Sequence, residues 1–294
     1  MPGTIYDRIN LILGDTPIYK AFRRGEIGVA KYQQWIEIES HNTQAVQQLN
    51  EDQLNLSGRT PVNKQEFVQR ALSQCMAHDI IADDHFDAGE VRKELTRIDS
   101  GYDHGGFSTY IFPGENDVLY AIVRKTRPGR AVFMGSYYGY RAAMAKAAHP
   151  TMELALVDIN TVVMARASEN FARLGLAGGT RFVTGDAETF AGELEELDLA
   201  VLDAEGPKSE DVPEDYRDKA IYYPHLRAML DKLRSGAIVI AHNVILSNFS
   251  GSGYFSKKQE NYRQQYSKFL PLFKTGFAYT IIDSTEGMLV ARKS

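Results

Sequence analysis

The feature that most constrains the fold is a regular alternation of short apolar segments with amphipathic ones. Apolar runs predict strands at residues 131–134, 154–157, 180–183, 199–202 and 237–241. Apolar residues at helical spacing predict helices at 140–148, 161–174, 187–194 and 221–233. Short apolar strands separated by helices are typical of a parallel sheet covered on both faces. Because such connections are right-handed, we expect an open, doubly wound α/β sheet.

The carboxyl-terminal part predicts a different kind of strand pair. A helix is expected near residues 259–273, followed by strand-like runs at 277–282 and 288–291. The link between them, Asp-Ser-Thr-Glu-Gly at 283–287, is short enough for an antiparallel hairpin. The prediction is therefore a Rossmann-like, mostly parallel seven-stranded sheet that ends in an antiparallel hairpin.

The first part of the chain predicts helices. Ile5, Ile9, Ile12 and Leu13 share one helical face, and similar patterns recur around residues 32–39 and 67–76. We expect an N-terminal helical domain over residues 1–110 and a second domain over 111–294. The helices could serve as a lid, as a homodimer surface or as extra packing, and the sequence leaves these alternatives open.

Composition narrows the classes of partner. The net charge is −5 without a long basic run, which argues against nucleic acid as the main partner. No apolar run approaches the roughly 18 residues needed to cross a bilayer, and the N-terminus lacks a signal-peptide pattern. The single cysteine, Cys75, lies in an apolar run and is interpreted as a core residue. A cytoplasmic protein acting on a small molecule is expected.

Two other segments carry polar or aromatic residues of interest. The run Asp83-Asp84-His85-Phe86-Asp87 contains metal-ligand types, but neighbouring carboxylates do not face one another on a helix, so a loop or helix start is the better interpretation. Residues 101–110 combine glycines with three aromatic residues and a histidine, which favours a functional loop.

Candidate ligand-binding residues follow the predicted strands in order. In a doubly wound sheet, ligands bind beyond the carboxyl ends of the strands. The candidates at these ends are the turn from Gly135 to Gly139, then Asp158, Asp186, Asp203 and the pair His242-Asn243. An acidic residue about 20 positions after the first glycine can hold a ribose, as Asp158 would, although a helix cap is the alternative. Asp186 could recognise an adenine edge.

At this point the chain resembles the class I S-adenosylmethionine-dependent methyltransferases, most closely the small-molecule, catechol-type O-methyltransferases. The resemblance covers about residues 110–294 and rests on the segments FMGSYYGYRAAMA, LVDIN, GDAE, VLDAEGPK and AHNV. It implies S-adenosyl-L-methionine as cofactor.

The resemblance also implies roles for particular residues. Gly135, Ser136, Tyr137 and Gly139 would line the methionine part of the cofactor, Asp158 the ribose, and Asp186 with Ala187 the adenine; Asp203 would lie at the same site. Tyr138 becomes a candidate catalytic residue, because aromatic faces attract a sulfonium cation.

One departure from the family concerns a metal. In the metal-dependent branch, an aspartate after the fourth strand and an Asp-Asn pair bind a divalent cation. Asp203 and Asn243 match these positions, but His242 replaces the second aspartate. The set Asp203, His242 and Asn243 could hold a metal softer than magnesium, or the metal could be lost and His242 act as a general base.

Three functions are compatible with these residues. The first is methyl transfer to a hydroxyl or amine of a small molecule. The second is cyclisation of S-adenosylmethionine itself to azetidine-2-carboxylate, with release of methylthioadenosine. The third is a non-catalytic cofactor-binding protein, against which the polar residues at the strand ends argue.

Overall fold

A single seven-stranded sheet organises the chain. The computed structural model describes residues 5–39, 42–50, 53–54, 57, 64–107, 114–244, 253–284 and 286–294. The strands are β1 (Arg130–Met134), β2 (Glu153–Asp158), β3 (Thr180–Thr184), β4 (Leu197–Leu202), β5 (Leu233–His242), β6 (Phe277–Ile282) and β7 (Met288–Lys293). Their order in the sheet is β3-β2-β1-β4-β5-β7-β6. Strands β1 to β5 pair in parallel, whereas β7 is antiparallel to both β5 and β6.

Helices precede the sheet and connect its strands. They are α1 (Ile5–Leu13), α2 (Pro17–Arg23), α3 (Val29–Glu39), α4 (Gln44–Gln47), α5 (Lys64–Ala77), α6 (Ala88–Gly101), α7 (Glu115–Thr126), α8 (Tyr140–Ala148), α9 (Thr161–Arg173), α10 (Ala187–Ala191), α11 (Tyr222–Met229) and α12 (Tyr254–Gln265). None of these described helices is long and apolar enough to span a bilayer.

The predicted sheet is confirmed in all seven strands, while several helices differ from prediction. The helix expected at 187–194 ends at Ala191, just before Gly192. The helix expected at 259–273 starts earlier, at Tyr254, and ends at Gln265; a separate 3₁₀ turn with Pro271 near its start follows. Neither α2 nor α4 has a separate prediction within the first, helical part of the chain, and for α6 the prediction covers only a loop or helix start at residues 83–87.

The acidic run at 83–87 behaves as a loop and helix start. Asp87 caps α6, because its carboxylate accepts hydrogen bonds from the backbone N–H groups of Gly89 and Glu90 at 2.9 and 3.0 Å. This matches the interpretation preferred from the sequence.

Both faces of the sheet are buried, as a doubly wound fold requires. In β1, Ala131 and Phe133 face the core that α5 to α9 cover, and Val132 and Met134 face the core that α10 to α12 cover. The helices α1 to α4 form a third apolar cluster together with Phe255. The helices α5 and α6 therefore share a core with the sheet rather than with α1 to α4. The expected domain boundary at 110 and 111, like Tyr110, lies outside the described residues, and the two-domain division stays a prediction.

Candidate active site at the carboxyl edge of the sheet

The glycine turn after β1 packs directly against the chain after β4. Gly135 has a φ of +74° and Gly139 a φ of +80°, conformations that favour glycine. A Cβ atom on Gly135 would lie 2.2 Å from the Cα of Ala204. The N–H groups of Gly135 and Ser136 both donate to the carbonyl of Val157, at 3.0 and 3.1 Å. The turn is thus held between β2 and β4.

Asp158 is tied to this turn rather than to the following helix. Its Oδ2 accepts a hydrogen bond from the backbone N–H of Tyr137 at 2.8 Å, and its Oδ1 accepts one from Asn160 at 3.0 Å. Asn160 is the residue that caps α9. The helix-cap alternative for Asp158 therefore does not apply. Ile159, which follows, is an apolar side chain with 77% of its surface exposed at the strand end.

Asp186, at the end of β3, has a structural contact of its own. It caps α10 by accepting a hydrogen bond from the N–H of Thr189 at 2.7 Å. Burial opposes ionisation, but the hydrogen bonds from Thr189 lower the pKa of Asp186 below its usual value. Ala187, the next residue, is buried. A capping role and recognition of an adenine are compatible, because a carboxylate has two oxygens.

Tyr138 lies inside an aromatic cluster. Its side chain is 1% exposed, and its hydroxyl lies 3.0 Å from Nδ1 of His104. Its backbone carbonyl accepts a hydrogen bond from the Tyr102 hydroxyl at 2.5 Å. The rings of the cluster are those of Tyr102, His104, Phe107, Tyr137, Tyr138 and Tyr140. Burial raises the pKa of the Tyr138 phenol well above its usual value, so the phenol keeps its proton at neutral pH.

A buried cluster of charges occupies the ends of β4 and β5. His242 is 3% exposed; its Nε2 lies 3.1 Å from Oε2 of Glu115, and its Nδ1 lies 3.3 Å from Oδ1 of Asp203. Burial alone would lower the pKa of His242, but the two carboxylates raise it to about 9. The imidazole is therefore protonated at neutral pH, and His242 does not fit the role of a general base there.

Two further cations surround Asp203. Nη1 of Arg141 lies 3.6 Å from its Oδ2, and Nζ of Lys219 lies 3.6 Å from its Oδ1. Burial would raise the pKa of Asp203, but His242, Lys219 and Arg141 hold it well below its usual range. The Asp203 side chain keeps 25% of its surface exposed, which makes it the most accessible member of the cluster.

The predicted metal ligands do not fit a divalent cation in this arrangement. Both ring nitrogens of His242 face carboxylates, and Asp203 is already paired with internal cations. Asn243 follows in a left-handed conformation, with φ of +62°, and its backbone carbonyl accepts a hydrogen bond from the Tyr266 hydroxyl. Within the described part of the chain, no group of three His, Cys, Asp or Glu side chains is arranged to hold a metal ion.

The sequence did not identify Glu115, Arg141 or Lys219 as site residues. Glu115 is the first residue of α7 and is fully buried; it accepts a hydrogen bond from the Ser284 hydroxyl. Arg141 belongs to α8, and Lys219 to a 3₁₀ turn between β4 and α11. All three lie in helical segments, whereas the candidates predicted from the sequence are residues that follow predicted strands.

Comparison with known proteins shows which solved structures share this fold. No protein-family model and no curated protein matches the sequence. An SAH-bound methyltransferase from Podospora anserina superposes with a TM-score of 0.51 at 17% identity, over 80% of this chain and 97% of that one. A putative caffeoyl-CoA O-methyltransferase from Staphylococcus aureus superposes with a TM-score of 0.50 at 14% identity, over 77% and 99%. The chain has the class I methyltransferase fold. The resemblance inferred from the sequence is thereby confirmed at the level of the fold.

Proposed function

We propose that this protein binds S-adenosylmethionine and transfers its methyl group to a hydroxyl or amine of a small molecule. The observation that carries the proposal is the placement of three features at neighbouring strand ends of a class I methyltransferase fold. The glycine turn follows β1, Asp158 ends β2, and Asp186 follows β3, and these strands are adjacent in the sheet. Neighbouring strands lie about 5 Å apart, so the three features span roughly 10 Å, a distance suited to an extended nucleoside with an amino-acid chain.

Each feature supplies a different part of the proposed cofactor site. Gly135, Ser136 and Tyr137 would contact the methionine part, and Asp158 would accept hydrogen bonds from the ribose hydroxyls. Asp186 and Ala187 would face the adenine. The exposed Ile159 next to Asp158 offers an apolar surface to a flat ring.

Binding of S-adenosylhomocysteine to Asp158→Asn and Asp186→Asn tests the cofactor site. Asparagine keeps the size of the side chain and, at 186, the ability to cap α10. A hydrogen bond to a charged group is worth about 1.5–3 kcal/mol, so each variant should bind roughly 10- to 100-fold more weakly in calorimetry. Asp231→Asn, at a position 73% exposed beside Lys232, is the matched control. Unchanged affinity in both site variants would overturn the assignment.

The cyclisation of S-adenosylmethionine is a second candidate, favoured by the charged state of His242. A protonated imidazole between Glu115 and Asp203 gives no neutral base for an acceptor hydroxyl. In the cyclisation, the amine of the cofactor loses its proton to solvent and attacks its own γ-carbon. The N–C bond forms as the S–C bond breaks, and the electron pair of that bond goes to sulfur, leaving methylthioadenosine.

One incubation separates these reactions. The protein is mixed with S-adenosylmethionine alone, and separately with added phenols and amines, and the products are analysed by mass spectrometry. Methyl transfer gives S-adenosylhomocysteine only when an acceptor is present, and cyclisation gives methylthioadenosine without one. Binding without turnover of either kind would favour a non-catalytic cofactor-binding protein. A cytoplasmic location and a homodimer stay predictions.

A further inference from the structure

Arg141 is a buried guanidinium whose hydrogen-bonding capacity is largely unused. Its side chain is 5% exposed, at the second position of α8 and just after the glycine turn. Its Nη2 approaches Sδ of Met288 at 3.3 Å, a weak acceptor. Among the described residues, Nε and Nη1 have no hydrogen-bond partner.

The neighbouring carboxylates do not satisfy these donors. Oδ2 of Asp203 lies 3.6 Å from Nη1, and Oε2 of Glu115 lies 3.7 Å from Nη2. Both distances allow electrostatic attraction but exceed a hydrogen bond. Native proteins seldom leave buried donors unpaired, and such groups call for a partner from outside the chain. Arginine presents its donors as a planar fork that matches the two oxygens of a carboxylate.

The position of Arg141 also points to a ligand. The guanidinium lies beside Asp203, whose side chain keeps a quarter of its surface exposed to solvent. Lys219, itself 5% exposed, approaches the other oxygen of Asp203 and adds a second cation. Ala204, the residue after Asp203, touches the glycine turn at Gly135. The two cations therefore lie at the strand ends where the amino-acid end of the cofactor would lie in the proposed function.

We propose that Arg141, with Lys219 beside it, binds the carboxylate of a ligand at the ends of β1 and β4. This proposal rests on the function proposed above. The carboxylate has two sources, the amino-acid end of the cofactor or a carboxylated second substrate. In either case the guanidinium fork holds a charged group near the reacting atoms and fixes the orientation of its ligand. A water molecule filling the same space is the competing explanation.

The test compares two ligands that differ in the carboxylate. S-adenosylhomocysteine has an amino-acid end and methylthioadenosine has none, so the second reports only the nucleoside part of the site. Both are titrated by calorimetry into the wild type, Arg141→Met and Arg141→Lys. Arg130→Met, which removes a half-exposed arginine paired with Glu153 at the opposite edge of the sheet, is the control. In a parallel experiment the protein is first saturated with S-adenosylhomocysteine. Benzoate or acetate is then added, and the increase in melting temperature is measured.

Two results support the proposal and identify the source. If the cofactor supplies the carboxylate, Arg141→Met binds S-adenosylhomocysteine about 10- to 100-fold more weakly and methylthioadenosine as the wild type does, with Arg141→Lys in between. If a second substrate supplies it, S-adenosylhomocysteine binds equally well, but the stabilisation by benzoate or acetate disappears in Arg141→Met.

Other results overturn it. In one such result, Arg141→Met binds S-adenosylhomocysteine as the wild type does, and benzoate and acetate stabilise both proteins equally or not at all. Water or packing then satisfies the donors of Arg141. An equal loss of both nucleosides in Arg141→Met and Arg141→Lys means that the residue only supports the fold. If the wild type binds neither nucleoside, the proposed function itself fails, an outcome distinct from failure of the carboxylate site.

Discussion

The buried pair of Glu115 and His242 gives a quantitative prediction about stability. Glu115→Gln keeps the shape of the side chain and an oxygen that can accept the hydrogen bond from Ser284, but it removes one of the two carboxylates that hold the imidazolium. Asp203 is then the one carboxylate left to neutralise the three cations near it, those of Arg141, Lys219 and His242. The variant therefore tests whether the cluster is held together by charge.

The expected loss follows from burial. Removing one partner of a buried ion pair costs about 3–5 kcal/mol, because the other charge stays buried and unpaired. His242 can relieve part of this by losing its proton, since its pKa falls from about 9 once Glu115 is neutral. We expect a loss of about 3 kcal/mol at pH 7. With a urea slope of about 3 kcal/mol/M, the unfolding midpoint falls by roughly 1 M.

Urea unfolding followed by circular dichroism measures this loss. Glu153→Gln is the matched control, because Glu153 pairs with Arg130 at 2.9 Å while the two side chains are exposed, Arg130 to 43% and Glu153 to 67%. An exposed pair contributes about 0–1 kcal/mol, so the control should move the midpoint by less than about 0.3 M. NMR should also show a lower pKa for His242 in Glu115→Gln. Equal midpoints for the two variants would refute the reasoning.

Three further outcomes follow from the same geometry. The pKa of His242 is about 9 in the folded protein and about 6.5 in an unfolded chain. Its contribution to stability, about 3 kcal/mol, is therefore complete below pH 6.5 and is lost by pH 9. Urea midpoints should fall over this pH window, and His242→Gln should make the fall smaller. Gly135→Ala should destabilise by about 3 kcal/mol or more, since its Cβ would overlap Ala204, whereas Gly175→Ala, with φ of +71° and nothing within 4 Å, should lose only about 1–2 kcal/mol in thermal melts. Calorimetric titration with Mg²⁺ or Mn²⁺ should show no site that Asp203→Asn abolishes, because internal cations already pair with Asp203; such a site would contradict this account.

The sheet was predictable because its strands are short, apolar and separated by helices. The inner strands β1, β2 and β4 are buried on both faces, which gives continuous apolar runs such as 154–157 that differ clearly from the flanking amphipathic helices. The helix ends were less predictable. Pro271 and Gly192 mark breaks that the apolar spacing alone did not show, and α2 is only seven residues long.

The residues at the strand ends were also predictable, because topology brings the carboxyl ends of parallel strands to one edge. Asp158, Asp186, Asp203 and His242 all lie at that edge. Their environments were not predictable. The protonation of His242 depends on Glu115, which lies far away in sequence and reaches the site only when α7 packs against α8.

The burial of Arg141 could nevertheless have been predicted from the sequence, from the composition of its helix rather than from residues at strand ends. Six of the nine residues of α8 are alanine or methionine, and eight of the nine are buried in the structure. A helix without a polar face has no solvated position for a charged side chain. Arg141 and Lys146 within it must therefore be buried, and a buried cation needs a partner. Lys146 has one, the carbonyl of Met152, whereas Arg141 keeps donors that the described chain does not satisfy. Among the charged residues of this helix, Arg141 is thus the one whose missing partner points to a ligand.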